Sequence, residues 1–213
     1  MDKNNEAKNG ENTKGVIKII LLGESGVGKT ALINVYNGDP FCEYIPSNQQ
    51  SLFIFKRINI NNNNYGIQVW DTAGQEKYRS VNKIFIKDSQ IVIFVYDITD
   101  RRSFLELNFW TEYIEELLGK NITVGIAANK IDLFDTVQEC VSKEEGQKYA
   151  EEQNAIFRQT SAKKDREGFE NFVNTLINQF LTNNPDFKTD GISLSTKNSN
   201  IKKKGECCYF KKI

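Results

Sequence analysis

Apolar residues along this chain fall into short runs separated by polar stretches, and the spacing inside the runs switches between strand and helix periods. Val16 to Leu22 is apolar except at Lys18, has the length of a buried strand, and predicts a strand over about 15–22. A helical pattern opens at Lys29 and runs to about Tyr36, where Asn37-Gly38-Asp39-Pro40 groups turn-prone residues and ends it. Residues 38–50 show no period and predict a loop. From Ser51 to Ile60 the chain alternates, Phe53, Phe55 and Arg57 against Leu52, Ile54 and Lys56, which predicts a strand at a sheet edge. Asn61 to Asn64 predicts a hairpin turn, a repeat insert without function of its own. Tyr65 to Trp70 then returns as a strand and makes the one antiparallel pair.

The second half alternates regularly. Ile91 to Tyr96 and Ile122 to Ala128 are continuous apolar runs, as strands buried on both faces should be. Ser103 with Glu106 predicts a capping box for a helix to about Leu118, and Ser142 with Glu145 another, for a helix to about Gln153. Ala155 to Gln159 predicts a short strand. In the last helix Phe169, Phe172, Val173, Leu176, Ile177 and Phe180 recur at three and four residues, so one stripe packs on the sheet as core. The predicted class is α/β: a six-stranded, mostly parallel sheet with one antiparallel edge strand, helices on both faces and right-handed crossovers. Ligands of such sheets sit at the carboxyl ends of the strands.

Composition adds limits. A chain of 213 residues accommodates one domain, expected over 15–182, with a disordered polar N-terminus over 1–14 and a flexible tail over 183–213. Its 28 basic residues balance its 28 acidic ones, so no global field points to nucleic acid. Cys42, Cys140, Cys207 and Cys208 are few and unevenly placed, which suggests a reducing compartment. The N-terminal segment carries no secretory signal, and no apolar run approaches the roughly 20 residues that span a bilayer. The expectation is a cytosolic protein unless an anchor is added.

Candidate chemistry clusters where strands end. Gly23-Glu24-Ser25-Gly26-Val27-Gly28-Lys29-Thr30 sits between a strand and a helix, the context of a phosphate-binding loop. Its glycines let successive N–H groups point at one anion beside a helix N-terminus. Lys29 is placed for the terminal phosphates and Thr30 for Mg²⁺. Asp71-Thr72-Ala73-Gly74-Gln75-Glu76 follows the next strand. There Asp71 is placed to hold Mg²⁺, the Gly74 N–H to touch a γ-phosphate, and Gln75 to orient an attacking water. Asn129-Lys130-Ile131-Asp132 follows a third strand. The Asp132 carboxylate can accept from N1–H and the 2-amino group of guanine, a donor pair adenine lacks. Asn129 ties this loop to the phosphate loop, and the Lys130 stem covers the base face. Thr160-Ser161-Ala162-Lys163, after the last strand, supplies an N–H for the guanine oxygen.

With these motifs in this order the chain resembles the Ras superfamily of small GTPases, and within it the Rab family, over about residues 15–182. Trp70 to Tyr78, Phe94 to Thr99 and Val141 to Tyr149 carry the Rab character. The resemblance implies a GTP/GDP switch with Mg²⁺ acting in vesicle traffic. It implies an exchange factor, an activating protein, a GDP-dissociation inhibitor or escort protein, and trafficking effectors as partners. It also implies an aromatic triad at Phe53, Trp70 and Phe85, and an aromatic, Phe41, packed on the guanine ring.

The sequence departs from the family at two places. The first-switch position that holds a Mg²⁺-ligating Thr in the family is Asn48, and the Gly two residues later is Gln50. The register is fixed from Thr30 and from Asp71. Gln75 therefore favours a slow GTP hydrolase, the first reading, while Asn48 favours a guanine-nucleotide-binding scaffold that hardly hydrolyses. The second departure is the tail, where Lys202-Lys203-Lys204 precede Cys207-Cys208 and Tyr209 to Ile213 follow. In the family such paired cysteines carry geranylgeranyl groups, which implies reversible attachment to the cytosolic face of internal membranes. Two unmodified cysteines are the other reading.

Overall fold

The computed structural model of the protein describes residues 13–44, 53–72, 83–136 and 141–188. Its strands are β1 (Gly15–Leu22), β2 (Phe53–Ile60), β3 (Asn63–Asp71), β4 (Ile91–Asp97), β5 (Thr123–Asn129) and β6 (Ile156–Gln159). The helices are α1 (Lys29–Asn37), α2 (Lys83–Ile86), α3 (Arg101–Leu105), α4 (Leu107–Leu118), α5 (Lys143–Glu152) and α6 (Arg166–Asn183), with a 3-10 helix at Ile131–Thr136. The strands form one sheet in the order β2-β3-β1-β4-β5-β6. Only β2 runs antiparallel to its neighbour.

The sheet is covered on both faces because its central strands are apolar on both. Ile17, Ile19 and Leu21 of β1 join Ile91, Ile93 and Val95 of β4 in a core with α1 and α6. Ile20, Leu22, Val92, Phe94 and Tyr96 point the other way into a second core with α3 and α4. Each fully buried aliphatic side chain here contributes about 1.5–3 kcal/mol. The α6 stripe Phe169, Phe172, Val173, Leu176, Ile177 and Phe180 is buried in the first core. Its approach to β5 is close: a Cβ on Gly125 would sit 2.7 Å from both Phe172 Cζ and Leu176 Cδ1.

The element boundaries differ from the apolar runs in an instructive way. β3, β4 and β5 each extend one residue past the last apolar position, to Asp71, Asp97 and Asn129. Parallel pairing persists there, with Leu21 opposite Asp71 and Asp97 opposite Asn129. Polar side chains at the top of the sheet are thereby held by the backbone ladder. The hairpin turn is shorter than expected. Ile60 pairs with Asn63, so Asn61 and Asn62 alone turn the chain, at φ 51° and 61°. Two left-handed central residues match the twist of the flanking strands, and Asn tolerates that conformation.

One cap is a correction. The helix expected to start at Ser103 begins at Arg101, and its N-cap is Asp100, whose carboxylate accepts from Arg102 N at 3.0 Å. Ser103 is fully buried inside α3, where Oγ donates to Asp100 O at 2.7 Å and accepts from Asp97 N at 3.0 Å. Satisfying a buried N–H outweighs a cap that a neighbouring carboxylate already supplies. At α5 the expected cap is present, Ser142 Oγ accepting from Glu145 N at 3.1 Å. No helix among the described residues is long and apolar enough to cross a membrane.

Candidate nucleotide site

The loop between β1 and α1 curls as a phosphate loop must. Gly23 and Gly28 have φ 143° and 99°, backbone that side chains disfavour. A Cβ would also collide there, 2.0 Å from Val95 O at Gly23 and 2.4 Å from Asn129 Nδ2 at Gly28. Glu24 is half-buried, Ser25 and Gly26 are exposed, and Val27 is buried. Lys29 is 3% exposed, and its ammonium donates to Gly23 O at 2.9 Å and Glu24 O at 2.8 Å. A buried cation is thus set against the loop at the head of α1, where the helix dipole also favours an anion.

Beside it, Thr30 Oγ1 donates to Asp71 Oδ2 at 2.5 Å. Asp71 is 1% exposed at the end of β3, and Thr72 Oγ1 donates to Leu21 O at 3.0 Å, tying the following residue to β1. A hydroxyl and a carboxylate side by side are hard oxygen donors of the kind Mg²⁺ takes. Among the described residues no three His, Cys, Asp or Glu side chains cluster to hold a metal. One carboxylate plus substrate phosphates is the usual Mg²⁺ arrangement, so these residues fit that ion.

The guanine-side motifs are laced to the phosphate loop. Asn129, 1% exposed, donates from Nδ2 to Val27 O at 2.8 Å and accepts at Oδ1 from Thr160 Oγ1 at 3.2 Å. Ser161 Oγ donates to Asp132 Oδ1 at 2.5 Å and accepts from Lys164 N at 3.0 Å. Lys130 adopts φ 66°, and its ammonium pairs with Asp97 Oδ2 at 2.6 Å. Ala162 is buried, and Lys163 Nζ lies 6.0 Å from the half-exposed Phe41 ring and 4.0 Å from Glu43 Oε1. A groove of about 360 Å³ runs along Gly38, Pro40, Phe41, Ala162 and Lys163. A larger cavity, about 570 Å³ against Ile131, Ala150 and Phe157, holds none of the phosphate-loop residues.

The three aromatics between the switches form a contact row. Phe53 and Trp70 have ring centroids 4.8 Å apart, and Trp70 and Phe85 5.8 Å apart. Phe53 is 44% exposed. Lys18 Nζ stands 5.3 Å from the Trp70 ring and donates to Lys87 O at 2.7 Å; burial pushes its pKa down, partly offset by Asp88. Asn48, Gln50, Gly74, Gln75, Cys207 and Cys208 lie outside the described residues. Sequence reasoning passed over Asp97 as the partner of Lys130 and Thr160 as the partner of Asn129. A signal for Asp97 was present: like Asp71, it is a carboxylate directly after a buried strand.

Comparison with known proteins agrees with this geometry. The model of the Ras family matches residues 18–182. The chain is similar to Ras-related protein Rab-21 of the sponge Geodia cydonium, 39% identical over 168 residues, spanning 79% of this chain and 72% of that one. It is also similar to the Rab-21 proteins of dog and human, each 38% identical over 149 residues, or 70% of this chain. Those alignments span 66% and 65% of the dog and human chains, just under two thirds of their length. A phosphate loop laced to a guanine-side loop at the carboxyl ends of β1, β3, β5 and β6, together with these matches, places the chain in the Ras family as a Rab-like small GTPase.

Proposed function

We propose that this GTPase works as a switch in vesicle traffic, with residues 15–182 as the nucleotide unit and 183–213 as its tether. The observation that carries the site assignment is the lacing of three motifs: Asn129 to Val27, Thr160 to Asn129, and Ser161 to Asp132. The loop N–H groups and Lys29 hold the phosphates, and Thr30 and Asp71 hold Mg²⁺. The metal, when bound, neutralises charge on the phosphate oxygens. Gly74 and Gln75, which lie outside the described residues, are assigned from sequence to the γ-phosphate and to the attacking water. Phe41, Lys130 and Lys163 enclose the base, and Asp132 reads its N1–H and 2-amino group. Family membership favours hydrolysis of GTP to GDP over a passive scaffold.

The partners follow the same logic. An exchange factor opens the site, an activating protein speeds hydrolysis, and effectors meet the row of Phe53, Trp70 and Phe85, of which Phe53 is exposed and the other two are partly buried. A GDP-dissociation inhibitor or escort protein carries the chain once Cys207 and Cys208 bear lipid, and the protein then cycles between cytoplasm and the cytosolic face of internal membranes. Displacement of labelled GDP tests the core of the assignment. GDP and GTP compete, and ATP does not at a large excess. Asp132→Asn transfers preference to xanthine nucleotide, because the donor and acceptor pattern on the protein is reversed. Comparable ATP and GTP affinities in the unaltered protein would sink the assignment.

A further inference from the structure

The lysine of the guanine-side loop is anchored from a neighbouring strand. Lys130 Nζ and Asp97 Oδ2 are 2.6 Å apart, with the aspartate side chain 10% exposed and the lysine side chain 31%. Asp97 ends β4 in register with Asn129, which ends β5. Its second oxygen, Oδ1, accepts from Thr99 N at 2.9 Å and Thr99 Oγ1 at 2.7 Å. The carboxylate therefore cannot rotate away from the lysine without breaking both of those bonds. Its own N–H donates to Ser103 Oγ at 3.0 Å, and the next residue, Ile98, donates its N–H to Asn129 O at 3.1 Å. Lys130 holds φ 66°, a conformation a side-chain-bearing residue keeps only where its surroundings fix it. Its Cε comes within 3.9 Å of where a Cβ on Gly28 would stand, so the stem crosses the end of the phosphate loop on its way to Asp97.

We propose that Asp97 is a positioning residue of the nucleotide site, holding the Lys130 ammonium so that the lysine stem is fixed over the place of the base before nucleotide binds. This rests on the reading of Lys130 as the cover of the base face. A free lysine stem samples many rotamers, and binding would have to order it each time; an ion pair orders it beforehand. The pair is mostly withdrawn from water, so salt screens it less than an exposed pair. Asp97 touches no substrate atom in this scheme and acts through Lys130 alone.

Release of fluorescent GDP from the full chain, followed by stopped flow, tests the assignment. Asp97→Asn keeps an oxygen for Thr99 and removes the charge. Asp97→Asn and Lys130→Met are each expected to speed release about tenfold, and the double variant no more than the faster single one. The preference for GDP over inosine diphosphate, which lacks the 2-amino group read by Asp132, is expected to stay unchanged in Asp97→Asn. If Lys130→Met leaves release unaltered, the base-face reading fails and the proposal with it. If Lys130→Met speeds release and Asp97→Asn does not, the base-face reading stands and the anchoring is overturned. Additive effects, or a lost preference for GDP over inosine diphosphate, assign Asp97 to holding the turn as a whole and also overturn it. Should Asp97→Asn not fold, Asp97→Glu enters the same double-variant comparison with Lys130→Met. Non-additivity then supports the anchoring, and additivity overturns it.

Discussion

Asn48 stands at one of the places where the sequence departs from the pattern of the family it resembles. An Asn carbonyl oxygen can meet a divalent cation, but the longer planar side chain moves that oxygen outward from where a Thr hydroxyl would stand. Losing one charge-assisted bond made only in the GTP state costs on the order of 1.5–3 kcal/mol, roughly 10- to 150-fold in the on/off balance. We expect near-normal GDP affinity, a weak GTP preference and slow stimulated hydrolysis. Asn48→Thr with Gln50→Gly should restore GTP preference in paired nucleotide titrations. A typical Rab rate from the unaltered protein would instead make Asn48 a working substitute. Tyr36 poses a different residue-scale question. It is 1% exposed, and burial, with a smaller push from Glu170, raises its phenol from 10.0 to about 12. Lys56 donates to Tyr36 O, and its ammonium stands 3.9 Å from the Tyr36 ring centroid. Because the fold prefers the neutral phenol, its contribution is complete below pH 10 and is lost as pH rises toward about 12. Within that window the slope reaches about 1.4 kcal/mol per pH unit. Denaturant midpoints for Tyr36→Phe should fall less steeply across this range than those of the parent; equal slopes would contradict it.

At the scale of elements, the start of α3 shows how a cap is chosen. Asp100 caps the helix from a half-extended backbone, φ −120° and ψ 94°, while Ser103 serves the buried turn after β4. Asp100→Ala should cost about 1 kcal/mol, the usual worth of an N-cap. Ser103→Ala should cost about 1–3 kcal/mol, because it strands the buried Asp97 N–H. Urea unfolding of both variants checks the order: a neutral Ser103→Ala would show that the Asp97 N–H is not stranded, and a neutral Asp100→Ala would take the cap away from the aspartate. The bidentate contact of Arg101 with Glu145, at 3.0 and 2.6 Å, joins α3 to α5 at the surface and is worth less than either.

For the whole molecule, the anchoring question lies in the tail. Two prenyl chains give stable membrane attachment where one gives a marginal hold, and three adjacent lysines add about 1 kcal/mol each near an anionic surface. Protein isolated from its native cell should carry lipid on Cys207 and Cys208 by mass spectrometry, and Cys207→Ser with Cys208→Ser should be lost from membrane pellets. Free thiols at both positions in the pelleted fraction would overturn the lipidation.

Much of this protein was written in local pattern. The strands were legible because Ile91 to Tyr96 and its neighbours are buried on both faces and so are apolar throughout. The phosphate loop was legible because a curl of that tightness requires glycine where Gly23 and Gly28 stand. The guanine choice proposed for Asp132 rests on a carboxylate's acceptors alone. What sequence could not decide were contacts between distant strand ends. That Asn129 closes on Val27 and that Lys130 pairs with Asp97 depend on the register of β4 against its neighbours β1 and β5 and on how tightly the turns above them pack. Hydrophobic periodicity reports which face of an element is buried. It carries no information on which polar side chains meet at the top of the sheet, and only the folded backbone brings them together.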